Sequence, residues 1–354
     1  MKTGQEIYSL TGLRGFAAVM VVIAHAEAES GVFAIARGQP AVDIFFVLSG
    51  FVISYVYIGR DKPIDWASFT MARFARIYPL HIVTAVFMAC ASLVFAHVTG
   101  GPAPAHVNAV QALRELTLTM AMPVVGAEKL WNFPAWSISV EWWVYFTLFP
   151  LLALFGRRIS LSWATLLYLA TAGGLAWLVL WKGDIHVTRG WFAFCRALIG
   201  FGGGWLAFRY TARDDMPRPS PWVATALALA SLAAVLLTPF LAGVDAWYLL
   251  PAYPVLIYAL AVTVSPASNF LSSRTMVWLG NISFSIYLIH PLAMNTLEAV
   301  NKVAFPIQGR ITWVVLTLAL TIVGSVASYY LFEGPMRDWA KRRRSQSTLQ
   351  ANTC

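Results

Sequence analysis

Long apolar runs, separated by short polar and often basic stretches, cover almost the whole chain. A helix of about 20 mostly apolar residues crosses a hydrocarbon core about 30 Å thick. Ten runs of that kind predict spans over 9–28, 40–59, 79–98, 134–156, 160–181, 190–209, 221–242, 246–264, 278–299 and 310–332. Two segments depart from the pattern. "IDWASFTMARFARIYP" (64–79) interleaves apolar and basic residues at helical spacing, which predicts a helix lying along the inner surface. "VNAVQALRELTLTMAMPVV" (107–125) is mixed and predicts an interfacial or re-entrant helix over the outer mouth. "ARDDMPRPSP" reads as a connection and "RRRSQSTLQANTC" as a disordered tail. The expected architecture is all-α: a polytopic helical bundle in one domain, 1–335, followed by a basic cytoplasmic tail, 336–354.

Composition supports the membrane reading. Charged residues make up 12% of the chain, about half the share in soluble domains. The net charge of +9 would suit nucleic acid, but the basic residues fall between apolar runs, where they set topology. With the N-terminus inside and the loops alternating, sixteen Lys and Arg lie on the inner side and seven on the outer. That excess follows the positive-inside rule and favours an even span number with both termini cytoplasmic. Lys2 followed by an apolar stretch and "AHA" mimics a secretion signal; the segment is kept as the first span. The three cysteines show no zinc spacing and no disulfide framework, and no metal site is expected.

The first span carries two residues that are expensive in lipid, Arg14 and His25. Eleven residues at about 100° each return to within about 20° of the start, so the two share a face, roughly 16 Å apart along the axis. Asp43, just inside the outer end of the second span, and Glu141, about two turns below the outer end of the fourth, fall at depths matching His25. These three are expected to cluster. On the inner side, Arg14 is expected to meet Arg73 and Arg76, which "RFAR" places at i and i+3 on one helix face. Guanidinium forks suit phosphate oxygens.

Each of these residues except Glu141, a carboxylate that would be expensive unpaired in lipid, has a plainer reading. Arg14 can snorkel to the interface, and His25 can donate a hydrogen bond between helices. Asp43 can position the start of its span. Arg73 and Arg76 can be ordinary inner-side charges. Ser283, Tyr287 and His290 share a face through spacings of four and three, which favours packing and polar contacts between helices. Arg196 reads as a charge partner for an acid, Glu333 as a partner of nearby basic residues, and "GFGGGW" (200–205) as close helix packing.

Taken together, "RGFAAVMVVIAH" (14–25), "VDIFFVLSGFVIS" (42–54), "RFARIYPLH" (73–81), "EKLWNFPAWSISVEWWVYFTLFP" (128–150), "ISFSIYLIHPL" (282–292) and "FEGP" (332–335) resemble, in order, the landmarks of the membrane acyltransferase type 3 family. The resemblance implies transfer of an acyl group, commonly acetyl, from cytoplasmic acyl-CoA to a hydroxyl of a glycan or glycolipid on the far side of a bacterial inner membrane. It implies His25 as the catalytic histidine and Arg14 as its motif partner. It matches Arg73 and Arg76 to the paired-arginine motif, and Glu141 to the acid of the tryptophan-rich motif. The chain looks like a stand-alone membrane type, without an appended extracytoplasmic hydrolase-like domain. Asp43, Ser283, Tyr287 and His290 are expected in support. Expected partners are acyl-CoA as co-substrate, the acceptor and membrane lipid, without nucleic acid; self-association is left open.

Two chemistries fit these residues. A neutral imidazole can take a proton from the acceptor hydroxyl, or an acyl-histidine can form on the way. An alternative from another class is a transporter or flippase for a glycan-linked or acylated substrate. Buried charges suit it, but no repeat symmetry or pair of Gly/Pro-broken spans supports it.

Overall fold

A computed structural model describes residues 6–30, 39–59, 63–123, 130–182, 188–242, 250–303, 306–339 and 342. Most of the expected tail, 336–354, and residue Lys2 lie outside the described residues. Those described form helices and connections, with no strand among them. The chain is a multi-pass helical membrane protein. Among the described residues, seven helices are long and apolar enough to cross a bilayer, or eight if one bent pair is counted as a span.

The helices, in chain order, are α1 (Tyr8–Ser30), α2 (Gln39–Ile53), α3 (Trp66–Thr99), α4 (Ala109–Thr117), α5 (Ala135–Phe155), α6 (Leu161–Lys182), α7 (Gly190–Thr211), α8 (Pro221–Ala242), α9 (Ala252–Val262), α10 (Pro266–Leu271), α11 (Arg274–Asn281), α12 (Ser283–Val303) and α13 (Arg310–Ser328). A π-helical turn extends α2 through Ser54–Ile58, and another extends α13 through Tyr329–Glu333.

The expected count of ten is therefore lowered. α9 has 11 residues, about 17 Å of helix, which is too short to cross the core. The described apolar part of α8, Pro221–Ala234, is also short. The run predicted as one span over 278–299 is the bent pair: α11 and α12 meet at 68° around Ile282. Ser283 Oγ donates to the Gly280 carbonyl at that corner (2.8 Å), satisfying an acceptor that the break exposes.

The inner-surface helix expected over 64–79 is also corrected. Residues 66–99 form one continuous helix of 34 residues, with Pro79 inside it. Asp65 caps its start by accepting from the Ser68 N–H (3.1 Å), and Gly100, at φ 67°, ends it. At about 51 Å it is longer than the hydrocarbon core. Its first third therefore needs a polar face, which is what gave that segment its interfacial pattern.

Close backbone approach sets the positions of the central helices. A Cβ on Gly204 of α7 would stand 2.0 Å from the Val47 carbonyl oxygen of α2, and one on Gly50 of α2 would stand 2.0 Å from that of Phe201. The glycine run in α7 thus buries its backbone against α2, as small residues do between membrane helices. On α1, Gly15 approaches α11 in the same way: its Cβ would meet Gly280 N at 2.6 Å. α1 is thereby held with the neighbouring Arg14 turned into the bundle.

Candidate active site

Arg14 of α1 and Arg73 and Arg76 of α3 line a single cavity of about 560 Å³. Glu141 of α5 and Ser283 and Tyr287 of α12 are in the same wall, and Arg337 completes it beyond α13. Four guanidinium groups and two carboxylates, Glu6 and Glu141, line the space, leaving an excess of positive charge. Arg14 lies in the electrostatic field of Arg337, Glu141, Arg73 and Glu333, and Arg76 in that of Arg14, Arg73 and Arg337. Arg14 Nε and Arg73 Nε are buried and have no hydrogen-bond partner among the described residues. Buried donors are nearly always paired. Two unpaired guanidinium N–H groups in one cationic cavity have the geometry and charge to donate to an anion's oxygens. Arg73 also packs over the Tyr145 ring (6.0 Å), whose hydroxyl is 3.0 Å from Ser49 Oγ.

His25 sits higher on the same face of α1 and is not among the residues lining the cavity. Its ring stacks on that of His290 from α12, with centroids 4.9 Å apart and planes 22° apart. Phe133, just before α5, meets His25 edge-on at 6.0 Å. His25 Nδ1 is 3.0 Å from the Val21 carbonyl oxygen, and His290 Nδ1 is 2.8 Å from that of Tyr287. A carbonyl only accepts, so each Nδ1 carries the proton, and in each neutral ring Nε2 holds the free lone pair. Tyr287 links the two levels. It lines the cavity, and its ring lies 6.1 Å from His290 and 5.7 Å from Phe45, another cavity residue. Its hydroxyl donates to the Pro134 carbonyl (3.0 Å) and lies 2.8 Å from Ser137 Oγ.

The expected cluster of His25, Asp43 and Glu141 is not what these contacts build. Asp43 takes a buried, two-pronged ion pair from Arg196 of α7: Nε to Oδ1 at 2.6 Å and Nη2 to Oδ2 at 3.2 Å. The Arg196 guanidinium lies 5.2 Å over the Trp136 ring, and Tyr253 Oη is 3.5 Å from Asp43 Oδ2. Asp43 therefore joins α2 to α7 and α9, and its place is in the scaffold. Glu141 belongs to the arginine cavity. Depth along a span is readable from sequence, but the direction a side chain faces around the axis is not, and that direction separates these acids from His25.

One further cavity residue carries a signal that went unread, and Glu333 meets the basic residues expected of it. Arg337, four residues beyond Glu333, joins the cavity although its position suggested only an inner-side charge. Glu333 accepts from Ser285 Oγ and lies in the field of Arg76, Arg337 and Arg14. Among the described residues, no group of three or more metal-ligating side chains comes together.

The profile of an acyltransferase-domain family matches residues 7–330. The chain belongs to the membrane acyltransferase type 3 family. It is 30% identical to "Acyltransferase MdmB" of Streptomyces mycarofaciens, over 80% of this chain and 77% of that protein. It is 28% identical to "Nodulation protein 10" of Rhizobium leguminosarum bv. viciae, over 82% and 84%. It is 24% identical to "O-acetyltransferase OatA" of Staphylococcus aureus, over 95% of this chain but only 58% of that protein. No solved structure matches. This acyltransferase is thus a member of an enzyme family, which sets the transporter reading aside.

Proposed function

We propose that this acyltransferase moves an acyl group, acetyl in the simplest case, from acyl-CoA on the cytoplasmic side to a hydroxyl of a glycan or glycolipid on the outer side of a bacterial inner membrane. The observation that carries the donor assignment is the cavity with its unpartnered Arg14 and Arg73 donors. Acyl-CoA is a polyanion on a long, slender arm. Its phosphates suit Arg14, Arg73, Arg76 and Arg337, while the arm points toward the Tyr287 end of the cavity. The separation of Arg14 from His25, roughly 16 Å along α1, is of the order such an arm spans.

His25 Nε2 serves as general base. It takes the proton of the acceptor hydroxyl while that oxygen attacks the thioester carbonyl. The C–S bond then breaks, and the departing thiolate takes the proton back from the imidazolium, so His25 ends neutral and free CoA leaves. The Nδ1–H bond to Val21 fixes the tautomer that this step needs. Tyr287 lines the cavity and its ring lies against His290, so the thioester's route to His25 passes beside it. Glu141 balances the arginines at the inner site. The name of OatA, an O-acetyltransferase, supports an oxygen acceptor and an acetyl donor.

The test has two parts. Purified protein should bind CoA, and Arg73→Gln with Arg76→Gln should abolish that binding. Membranes carrying His25→Ala should still bind CoA but no longer acylate surface glycan, as read by mass spectrometry. Normal acylation by His25→Ala removes the histidine from the reaction. Undiminished CoA binding by the double arginine variant removes the donor site.

A further inference from the structure

A second hollow, separate from the arginine cavity, runs along the outer surface of the bundle between α5, α6 and α7, with a volume of about 510 Å³. Its lining is almost wholly apolar: Leu148 and Leu152 from α5, Leu167 and Leu175 from α6, Leu198 and Ile199 from α7. The floor is buried and the rim is open, since Ala164 and Trp205 are buried while Leu167 is 59% exposed. Along α6 it runs from Ala164 to Leu178, about 21 Å, enough to seat an acyl chain that covers half of a core about 30 Å thick.

Two glycines keep this groove open. A Cβ built on Gly174 of α6 or on Gly202 of α7 would meet nothing within 4 Å. Glycine between membrane helices ordinarily marks close packing, and the adjacent Gly203 is such a case, its Cβ position 2.9 Å from the Tyr168 ring. Gly174 and Gly202 face space instead. The inner end of the groove, at Ile159 and Trp205, is cationic. The Arg209 guanidinium lies 5.2 Å over the Trp205 ring and donates to the Gly156 and Ile159 carbonyls. Arg157 lies in its electrostatic field and donates to the Ile58 carbonyl (2.8 Å), and Arg158 lies 5.6 Å from the Phe155 ring. Carbonyls and rings orient these cations without neutralising them.

We propose that the groove binds one chain of an anionic phospholipid from the inner leaflet, with its phosphate against Arg157, Arg158 and Arg209. Basic groups between helices at the cytoplasmic face select anionic headgroups, and a zwitterionic lipid of equal chain length offers them no net charge. The site is independent of the acyl-transfer reaction.

The full-length protein is exchanged into mild detergent with equal amounts of phosphatidylglycerol and phosphatidylcholine of identical chains, and retained lipids are counted by native mass spectrometry. At least fivefold enrichment of phosphatidylglycerol in the first bound lipid is expected. Gly202→Leu, which places a side chain into open groove rather than into protein, should abolish that first binding event, and Gly174→Leu is its replicate on α6. Arg157→Gln with Arg158→Gln should bring the enrichment close to one while a lipid is still retained. A wild-type ratio near one overturns the proposal, as does enrichment that survives both leucine variants.

Discussion

His290 lies face to face with His25, the two imidazoles 4.9 Å apart and 22° from parallel, and each spends its Nδ1–H on a carbonyl of its own helix. Stacking fixes the plane of the His25 ring and the carbonyl bond fixes its tautomer, so the Nε2 lone pair has a set direction. Both rings cannot be cationic at once: two unit charges at this separation repel by about 3 kcal/mol at an effective dielectric of 20. In the proposed reaction, His290 therefore stays neutral when His25 takes the hydroxyl proton. Its part is to position the base.

Removing that support should misplace the base rather than the donor. His290→Ala should slow CoA thiol release by membranes containing the native acceptor by roughly 100-fold, the scale expected when a reacting group shifts by about 1 Å. The KM for acyl-CoA should hold. His290→Phe keeps a stacked ring without a titrating nitrogen and should recover to within about tenfold of wild type. Equal loss in both variants would mean that the imidazole nitrogens, not the stack, matter.

Arg14 and Arg73, which share the cavity with Arg76, each keep a buried Nε–H without a hydrogen-bond partner among the described residues. Charge-assisted hydrogen bonds contribute about 1.5–3 kcal/mol each. Arg73→Gln should therefore weaken CoA binding by roughly 10- to 100-fold, and raising the salt should weaken wild type more than the variant. Equilibrium binding at two ionic strengths checks both. Salt-independent binding would mean that the phosphates rest elsewhere.

The Asp43–Arg196 pair should behave in the opposite way, as stability without chemistry. Breaking a buried ion pair from one side leaves an uncompensated charge, at a cost of about 3–5 kcal/mol, whereas replacing both partners by apolar groups is often near neutral. Arg196→Met should unfold well before wild type in detergent, and Asp43→Leu added to it should restore most of the loss. Additive destabilisation in the double variant would contradict a pairwise role.

These contrasts show what a linear reading reaches. Helix identity and depth follow from the apolar runs, and depth brought Arg14, Arg73 and Arg76 to one level before any coordinates. Azimuth does not follow. Ser283, Tyr287 and His290 share a helix face by spacing, yet Ser283 and Tyr287 line the cavity while His290 goes to His25. Arg196 was legible as a partner for an acid, but which acid depended on how α2 rolls against α7, a contact set by glycines. The 68° corner at Ile282 and the passage of α3 through Pro79 depend on what packs around them. Neither leaves a mark in the apolar pattern.

The same limit hid Glu115, in a segment read only as mixed. It lies on α4, outside the spans, and is 1% exposed. Its Oε1 accepts from Gln111 Nε2 (3.1 Å) and from the Trp131 N–H (3.2 Å), and His81 Nε2 donates to its backbone carbonyl (3.1 Å). Through Trp131 it anchors the strand of loop that delivers Phe133 to His25. Oε2 has no hydrogen-bond partner among the described residues, and burial pushes the carboxyl from 4.5 up to about 6. Between those two values this carboxyl holds a proton in the folded protein that it has lost in the unfolded chain, so its contribution to stability falls as pH rises through that window and levels off above it. That difference corresponds to about 2 kcal/mol. Glu115→Gln keeps an oxygen for both donors and removes the titration. Measured against Glu115→Gln at each pH, the thermal midpoint of wild type in detergent should fall from pH 4.5 to about 6.5, the difference isolating this one carboxyl. Parallel profiles for the two proteins would mean that Glu115 keeps an ordinary carboxylate in the folded state and that the loop over His25 is held by something else.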